Sequence, residues 1–291
     1  MAAHKICLGV ETSQDGLKIA LVEPGRRHII KIDVVPTSGN SINDVSIYSS
    51  VLNSWMRNNN LLSKINSVAV AFPSCSGIMR FVLIPKEIED TYKYVSWEFT
   101  SSVNSNMSEY KLSVDYYPNA KKPECAIVVA MRKRTVEAFH SIELEKSGFR
   151  PNYLMADICV LHNLLESSDG LSSQPKCVLK ADEKFVSAFW SSKNGPVAVR
   201  LLPSDCISPS AVQDILTSGF QGFPKAKKIV KFCGELSARA EFVNELVSLG
   251  AKSGLEIQPW KQLSKFSLEK NADFSKLSQC MGAIGATLGC T

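Results

Sequence analysis

The chain has 291 residues, enough to bury one large core or two smaller ones, and a hydrophobic fraction of 45% with 21% charged residues is that of a folded soluble protein. The net charge of +5 is mild and spread along the chain, with no basic face interleaved with aromatics, which argues against nucleic-acid binding. The opening "MAAHKICLGV" is too short an apolar stretch for a signal peptide, and no window approaches the ~18 apolar residues of a membrane span, so a cytoplasmic location without direct membrane insertion is expected.

In chain order, "GVETSQDGLKIALVE" comes first. Strands Lys5–Val10 and Leu17–Glu23 flank a tight turn, and "HIIKIDVVP" adds a third strand. "INDVSIYSSVLNSWMRNNNLL" has the helical period, and "INSVAVAFP" is a buried strand ending at Pro73. An alternating strand then runs to Pro85, and a helix follows with acids in its first turn. "KLSVDYYP" and "ECAIVVAMRK" read as strands, and "RTVEAFHSIELEKSGF" as an amphipathic helix closed by Gly148. A Ser/Gly/Pro linker, "ESSDGLSSQPK", precedes the second half.

That half opens with two or three strands in "CVLKADEKFVSAFWSSKNGPVAVRLLP", where "KNG" is a hairpin turn. The helix "SPSAVQDILTSGF", the strand "AKKIVKFCG", the helix "LSARAEFVNELVSLG" and the closing helical stretch "DFSKLSQCMGAIGATLG" follow. Each half therefore begins with a hairpin and a further strand, then adds helices. This is the pattern of a duplicated α/β fold with a cleft between its halves, where a ligand would sit.

The nine cysteines form no C-x-x-C, and the four histidines are scattered, so no metal site is expected. Most of the thiols lie in apolar runs such as "CAIVVAM", as small hydrophobes in a reducing compartment would. His140 and His162 have no acid or nucleophile nearby in sequence, and no G-x-S-x-G stretch offers a nucleophile on a strained turn. No catalytic residue is therefore assigned.

Several stretches together carry a family resemblance. "SVAVAFPSCSGIMRFVLIPKEIEDTYKYVSWEF" has a strand ending in Pro73, a strand ending in Ile84-Pro85, and a helix bearing Trp97-Glu98. The run Gly148, Pro151, Asp157 and the closing "MGAIGATLG" complete the set. In their order and spacing these resemble the PilM family of actin-like type IV pilus assembly proteins, in the FtsA-like branch of the actin superfamily. The resemblance implies a two-lobed actin-like (ribonuclease H-like) α/β fold with an inserted α/β subdomain. It divides the chain into a first lobe at 1–74, the insert at 75–150, a connecting helix and linker at 151–174, and a second lobe at 175–291. It also implies ATP between the lobes, and a bound cytoplasmic tail of a single-span inner-membrane assembly protein, with the motor ATPase as a further contact.

The family's nucleotide motifs are altered. Asp-x-Gly-x-x-x-x-Lys maps onto Glu11, Ser13 and Lys18. Ser13 puts a side chain where backbone N–H groups must approach phosphate, and Glu11 is one methylene too long for the metal-holding Asp. Counting back from the hairpin glycine Gly195 puts Ala181 at the second acid position and Glu183 at its glycine. A register one residue along would place Asp182 at the acid and Lys184 at the glycine. The glycine-rich adenosine turn keeps only Gly234. Glu11, Ser13, Lys18 and Gly234 thus read as remnants of a nucleotide site. No cofactor is expected, ATP with magnesium being the alternative. Trp97 is read as packing its helix on the inserted sheet, since it shares a face with Tyr94.

These residues point to a non-catalytic scaffold of a pilus or type II secretion machine, recruited to the inner membrane through its partner. The alternatives are an ATP-switched actin-like ATPase and a divergent superfamily kinase.

Overall fold

The structure is a computed structural model that describes residues 5–13, 16–37, 45–61, 64–103, 106–117, 123–141, 144, 151–171, 173–193, 195–224, 227–270 and 273–290. Strands β1 (Cys7–Thr12), β2 (Gly16–Glu23) and β3 (His28–Pro36) form an antiparallel meander. After helix α1 (Val45–Asn58), β4 (Ser67–Phe72) returns parallel to β1. Strand β1 is buried along its whole length, so its alternation decides which layer each side chain joins. Leu8 and Val10 join Tyr48, Leu52 and Met56 of α1 in one core. Cys7, and with it Gly9 and Glu11 by the period of two, face the opposite side.

The insert follows. Strand β5 (Ile78–Leu83), helix α2 (Thr91–Ser102), β6 (Tyr110–Tyr117), β7 (Cys125–Arg132) and α3 (Lys133–His140) build a three-stranded antiparallel sheet of order β5-β7-β6 with flanking helices. Val95 and Phe99 of α2 pack on Val82, Ala126, Val128 and Ala130. The other sheet face, with Ile127, Val129 and Met131, joins the main core. The expected acids in the first helical turn lie just before the helix instead. Glu87 and Glu89 sit in the loop, and Asp90 is the cap, its side chain accepting from the Lys93 N–H at 3.0 Å. The closing glycine expected for α3, Gly148, lies outside the described residues.

Strand β8 (Tyr153–Ala156) then pairs with β4, and helix α4 (Asp157–Asp169) covers the same side as Glu11. The second lobe holds β9 (Lys176–Asp182), β10 (Phe185–Ser192), β11 (Gly195–Pro203), α5 (Pro209–Gln221), β12 (Ile229–Cys233), α6 (Ala240–Lys252) and β13 (Glu256–Pro259). Its sheet order is β11-β10-β9-β12-β13. Gly195 opens β11 at φ 112°, a backbone state that suits glycine, and a Cβ there would collide with the Tyr117 ring of the insert.

The chain after Pro259 departs from the expected second lobe. Strand β14 (Ser267–Leu268) pairs with β3, giving the first sheet the six-stranded order β14-β3-β2-β1-β4-β8. Helix α7 (Met281–Thr287) packs on β1, β2, β4 and α4. Its glycines and alanines allow that approach: a Cβ on Gly9 would strike the Ala283 carbonyl, and one on Gly285 the Val160 carbonyl. Cys7 and Cys290 are bonded as a disulfide between β1 and the C-terminal turn, a pair the reading of the cysteines as reduced thiols did not include. Among the described residues no helix is long and apolar enough to cross a membrane.

Candidate functional site: the cleft between the lobes

The two hairpins meet at the cleft. On the first, Glu11 and Lys18 are directly opposite in the β1–β2 register. On the second, alternation along β9 sends Cys177, Leu179 and Ala181 into the core with α5 and α6. Lys180 and Asp182 therefore point the other way, at the first lobe. Asp157, the first residue of α4, and Glu235, which follows Gly234 after β12, complete the group.

These six side chains form one ion network. Lys18 Nζ lies 2.8 Å from Asp182, 3.5 Å from Glu11 and 3.6 Å from Glu235. Lys180 Nζ lies 2.6 Å from Glu11, 2.7 Å from Asp157 and 3.2 Å from Asp182. The second Asp157 oxygen accepts from the Ser74 and Ile158 N–H groups at 3.0 and 2.8 Å, and from the Ser74 hydroxyl. One Asp182 oxygen also accepts from the Glu235 N–H at 2.9 Å. Lys18 is 0% exposed, Lys180 2% and Glu11 1%, so the network is dry at its centre.

Burial alone would drive both lysines toward neutrality. For Lys18, Asp182 and Glu11 outweigh that burial, and for Lys180, Asp157, Asp182 and Glu11 do so; both are held above the ordinary lysine range. Burial pushes Asp182 up, but Lys18 and Lys180 pull it well below the usual carboxylate range. All three groups are therefore charged at neutral pH.

The residues singled out in the sequence have different fates here. Glu11 and Lys18 come together at the centre. Ser13 does not: its N–H and hydroxyl both donate to the Gly16 carbonyl at 3.0 Å, closing the hairpin. Gly234 sits beside the second hairpin at φ 97°, where a Cβ would strike the Ala181 backbone, and its N–H donates to the Ser278 carbonyl at 3.0 Å. Ala181 belongs to the second-lobe core, so the acid at the cleft is Asp182, the alternative register. Glu183 turns away and ion-pairs with Arg239 at the surface. Lys180 escaped the sequence reading. Its signal was a lysine two residues before an acid at the end of an apolar strand, mirroring the buried Lys18.

Other expectations change as well. Trp97 does not pack its helix on the insert sheet. It is 60% exposed, and Val95 and Phe99 do the packing because their spacing of four puts them on the inner face. Its ring lies near Tyr94, centroids 6.4 Å apart. His162 is buried, 3.0 Å from the Ser191 hydroxyl and edge-on to Tyr117, and burial pushes it down to about 4. His140 is exposed at the end of α3.

The arrangement can be tested for the nucleotide and metal that the fold family implies. Two ammonium groups stand among the carboxylates that would otherwise attract a divalent cation, and each lysine satisfies acids from both hairpins. The three acids gathered at the centre, Glu11, Asp157 and Asp182, all face the Lys180 ammonium group. A hydrated cation would have to displace an ammonium group from acids it already pairs with, and the β- and γ-phosphates would meet four carboxylates against two lysines. The residues present do not fit an ATP–magnesium complex.

No protein-family model and no curated protein sequence matches the chain. Solved structures do. A PilM–PilN type IV pilus biogenesis complex is similar with TM-score 0.68 and 16% identity, over 97% of this chain and 98% of that one. A Bacteroides thetaiotaomicron protein of actin-like ATPase fold and unknown function gives 0.56 and 13%, over 88% and 91%. The cytoplasmic domain of EpsL, an inner-membrane component of the Vibrio cholerae type II secretion system, gives 0.55 and 12%, over 97% and 94%. The chain has the actin-like fold.

Proposed function

We propose that this chain is a non-catalytic actin-like scaffold of a pilus or type II secretion assembly machine, which holds the cytoplasmic tail of a membrane-anchored partner and is recruited to the inner membrane through it. The observation that carries the reading is the cleft. Lys18 and Lys180 take up the acids that a nucleotide-bound metal would need. An ATP-switched ATPase and a superfamily kinase both require those acids free for metal and phosphate. The full-length likeness to a pilus complex and to a secretion-system cytoplasmic domain supports the class of machine.

The insert supplies a surface for an extended tail. Strand β5 is at one edge of its sheet, pairing with β7 alone among the described strands, so its outer backbone groups are available for strand addition. Leu83 at the end of β5 and Tyr92 and Trp97 on α2 are large apolar side chains left exposed. A tail of a few apolar residues could bury some of these while pairing its backbone with β5, which suits a segment that folds on binding.

The test is capture of synthetic cytoplasmic tails from single-span proteins encoded beside this chain, measured by calorimetry. Binding that is lost on Leu83→Pro, which removes an outward-facing N–H of β5 and leaves its bonds to β7, supports the reading. No binding by any such tail overturns it.

A further inference from the structure

We infer that Lys18 and Lys180 form a standing clasp that replaces nucleotide in holding the two lobes together, so that the lobes keep one arrangement at any nucleotide concentration. The inference rests on the reading of the cleft given above, and goes beyond it by assigning the network a conformational task.

The geometry is reciprocal. Lys18 belongs to the first lobe and makes its shortest contact, 2.8 Å, with Asp182 of the second. Lys180 belongs to the second lobe and makes its shortest contacts, 2.6 and 2.7 Å, with Glu11 and Asp157 of the first. Each lobe thus sends one cation into an acid pair or triad that includes the other lobe's residues. Separating the lobes would leave Glu11 and Asp157 facing each other without Lys180, and Asp182 without Lys18. A cation shared by two rigid bodies does the same work in a metal-bridged cleft, but there the bridge comes and goes with its ligand. Here it is covalently part of the chain.

Two further contacts run the same way. The Glu235 N–H donates to Asp182 at 2.9 Å and so fixes the acid that Lys18 reaches. The Gly234 N–H donates to the Ser278 carbonyl at 3.0 Å, tying the second-lobe turn to the segment leading into α7. A buried ion network is a poor source of net stability, since apolar residues of equal volume do as well or better. What it does supply is a preferred register: a slip leaves Lys18 with Glu11 and Lys180 with Asp182 inside their own lobes but strands the buried Asp157.

The experiment is amide hydrogen exchange on the full chain, with and without millimolar ATP and magnesium, for the wild type, K18M, K180M and the K18M/K180M double variant. The wild type is expected to show identical protection at both hairpins with and without nucleotide. The double variant should exchange roughly tenfold or more faster at the cleft ends of β1, β2 and β9 while Trp190 and Leu52 neighbours in the lobe cores stay protected. K18M, which leaves Lys180 on three acids, is the milder variant and should loosen the same segments less. Nucleotide-dependent protection of the wild type would overturn the clasp even if tail binding holds. So would a folded K18M with wild-type exchange at the cleft. Absence of tail binding with the exchange pattern intact would instead remove the scaffold reading and leave the clasp standing.

Discussion

Lys180 of the second lobe donates to Asp157 of the first at 2.7 Å, joining the end of β9 to the first turn of α4 in a site closed to solvent. Asp157 is well placed to receive it. It sits at a helix N-terminus, where a negative charge is favoured, and its other oxygen is already held by Ser74 and Ile158.

Breaking that pair from one side should be costly. Lys180→Met leaves Glu11, Asp157 and Asp182 crowded without their shared cation, and a loss of about 3–5 kcal/mol is expected. Urea denaturation measures it, with an unchanged m-value showing that only stability moved. Combining Lys180→Met with Asp157→Asn should cost less than the two single losses summed, by about 1 kcal/mol or more.

Nucleotide should find no purchase. Affinity for ATP with magnesium is expected to be no tighter than about millimolar, near 4 kcal/mol, by calorimetry or thermal-shift titration. Micromolar binding would restore the nucleotide-switched reading.

His162 sets an acid limit. Burial lowers it from 6.5 to about 4, so the unfolded chain takes up a proton that the folded chain refuses. The group's contribution is full above pH 6.5 and is lost as pH falls toward 4, by about 3 kcal/mol at most. Asp182, also lowered, keeps its contribution above the ordinary carboxylate pKa and loses it only at lower pH, so the two windows separate. A His162→Gln variant should show a flatter stability profile between pH 6.5 and 4 in denaturant titrations. An unchanged slope there would refute the assignment.

On α2, Trp97 and Phe99 should behave oppositely. Phe99 is fully buried, and Phe99→Ala should cost about 3–5 kcal/mol of stability. Trp97 is exposed, so Trp97→Ala should shift stability by no more than about 0.5 kcal/mol. If Trp97 anchors a partner tail, the same variant should weaken binding by about 2 kcal/mol, near thirtyfold. Equal tail affinity for the variant and the wild type would exclude Trp97 from the contact.

Much of the architecture could be read from the chain itself. The opening hairpin, the strand ending at Pro73 and the second hairpin with Gly195 appear where apolar periodicity and turn residues placed them, because those signals are local. The composition of the cleft was not legible in the same way. A strand's faces alternate with a period of two, so placing the second hairpin one residue early put Ala181 at the cleft, left Asp182 as the alternative register and hid Lys180. Trp97 and Tyr94 do lie on neighbouring positions, but which side of α2 met the sheet depended on Val95 and Phe99 fitting against Val82 and Val128. The return of the last segment to the first sheet, through β14 and α7, likewise had no sign in its own residues. Sequence determined the elements and their order. The tertiary structure alone brought Lys18 to Asp182 across 164 positions, because an ion pair is specified by where two folded surfaces meet and leaves no periodicity in the chain that carries it.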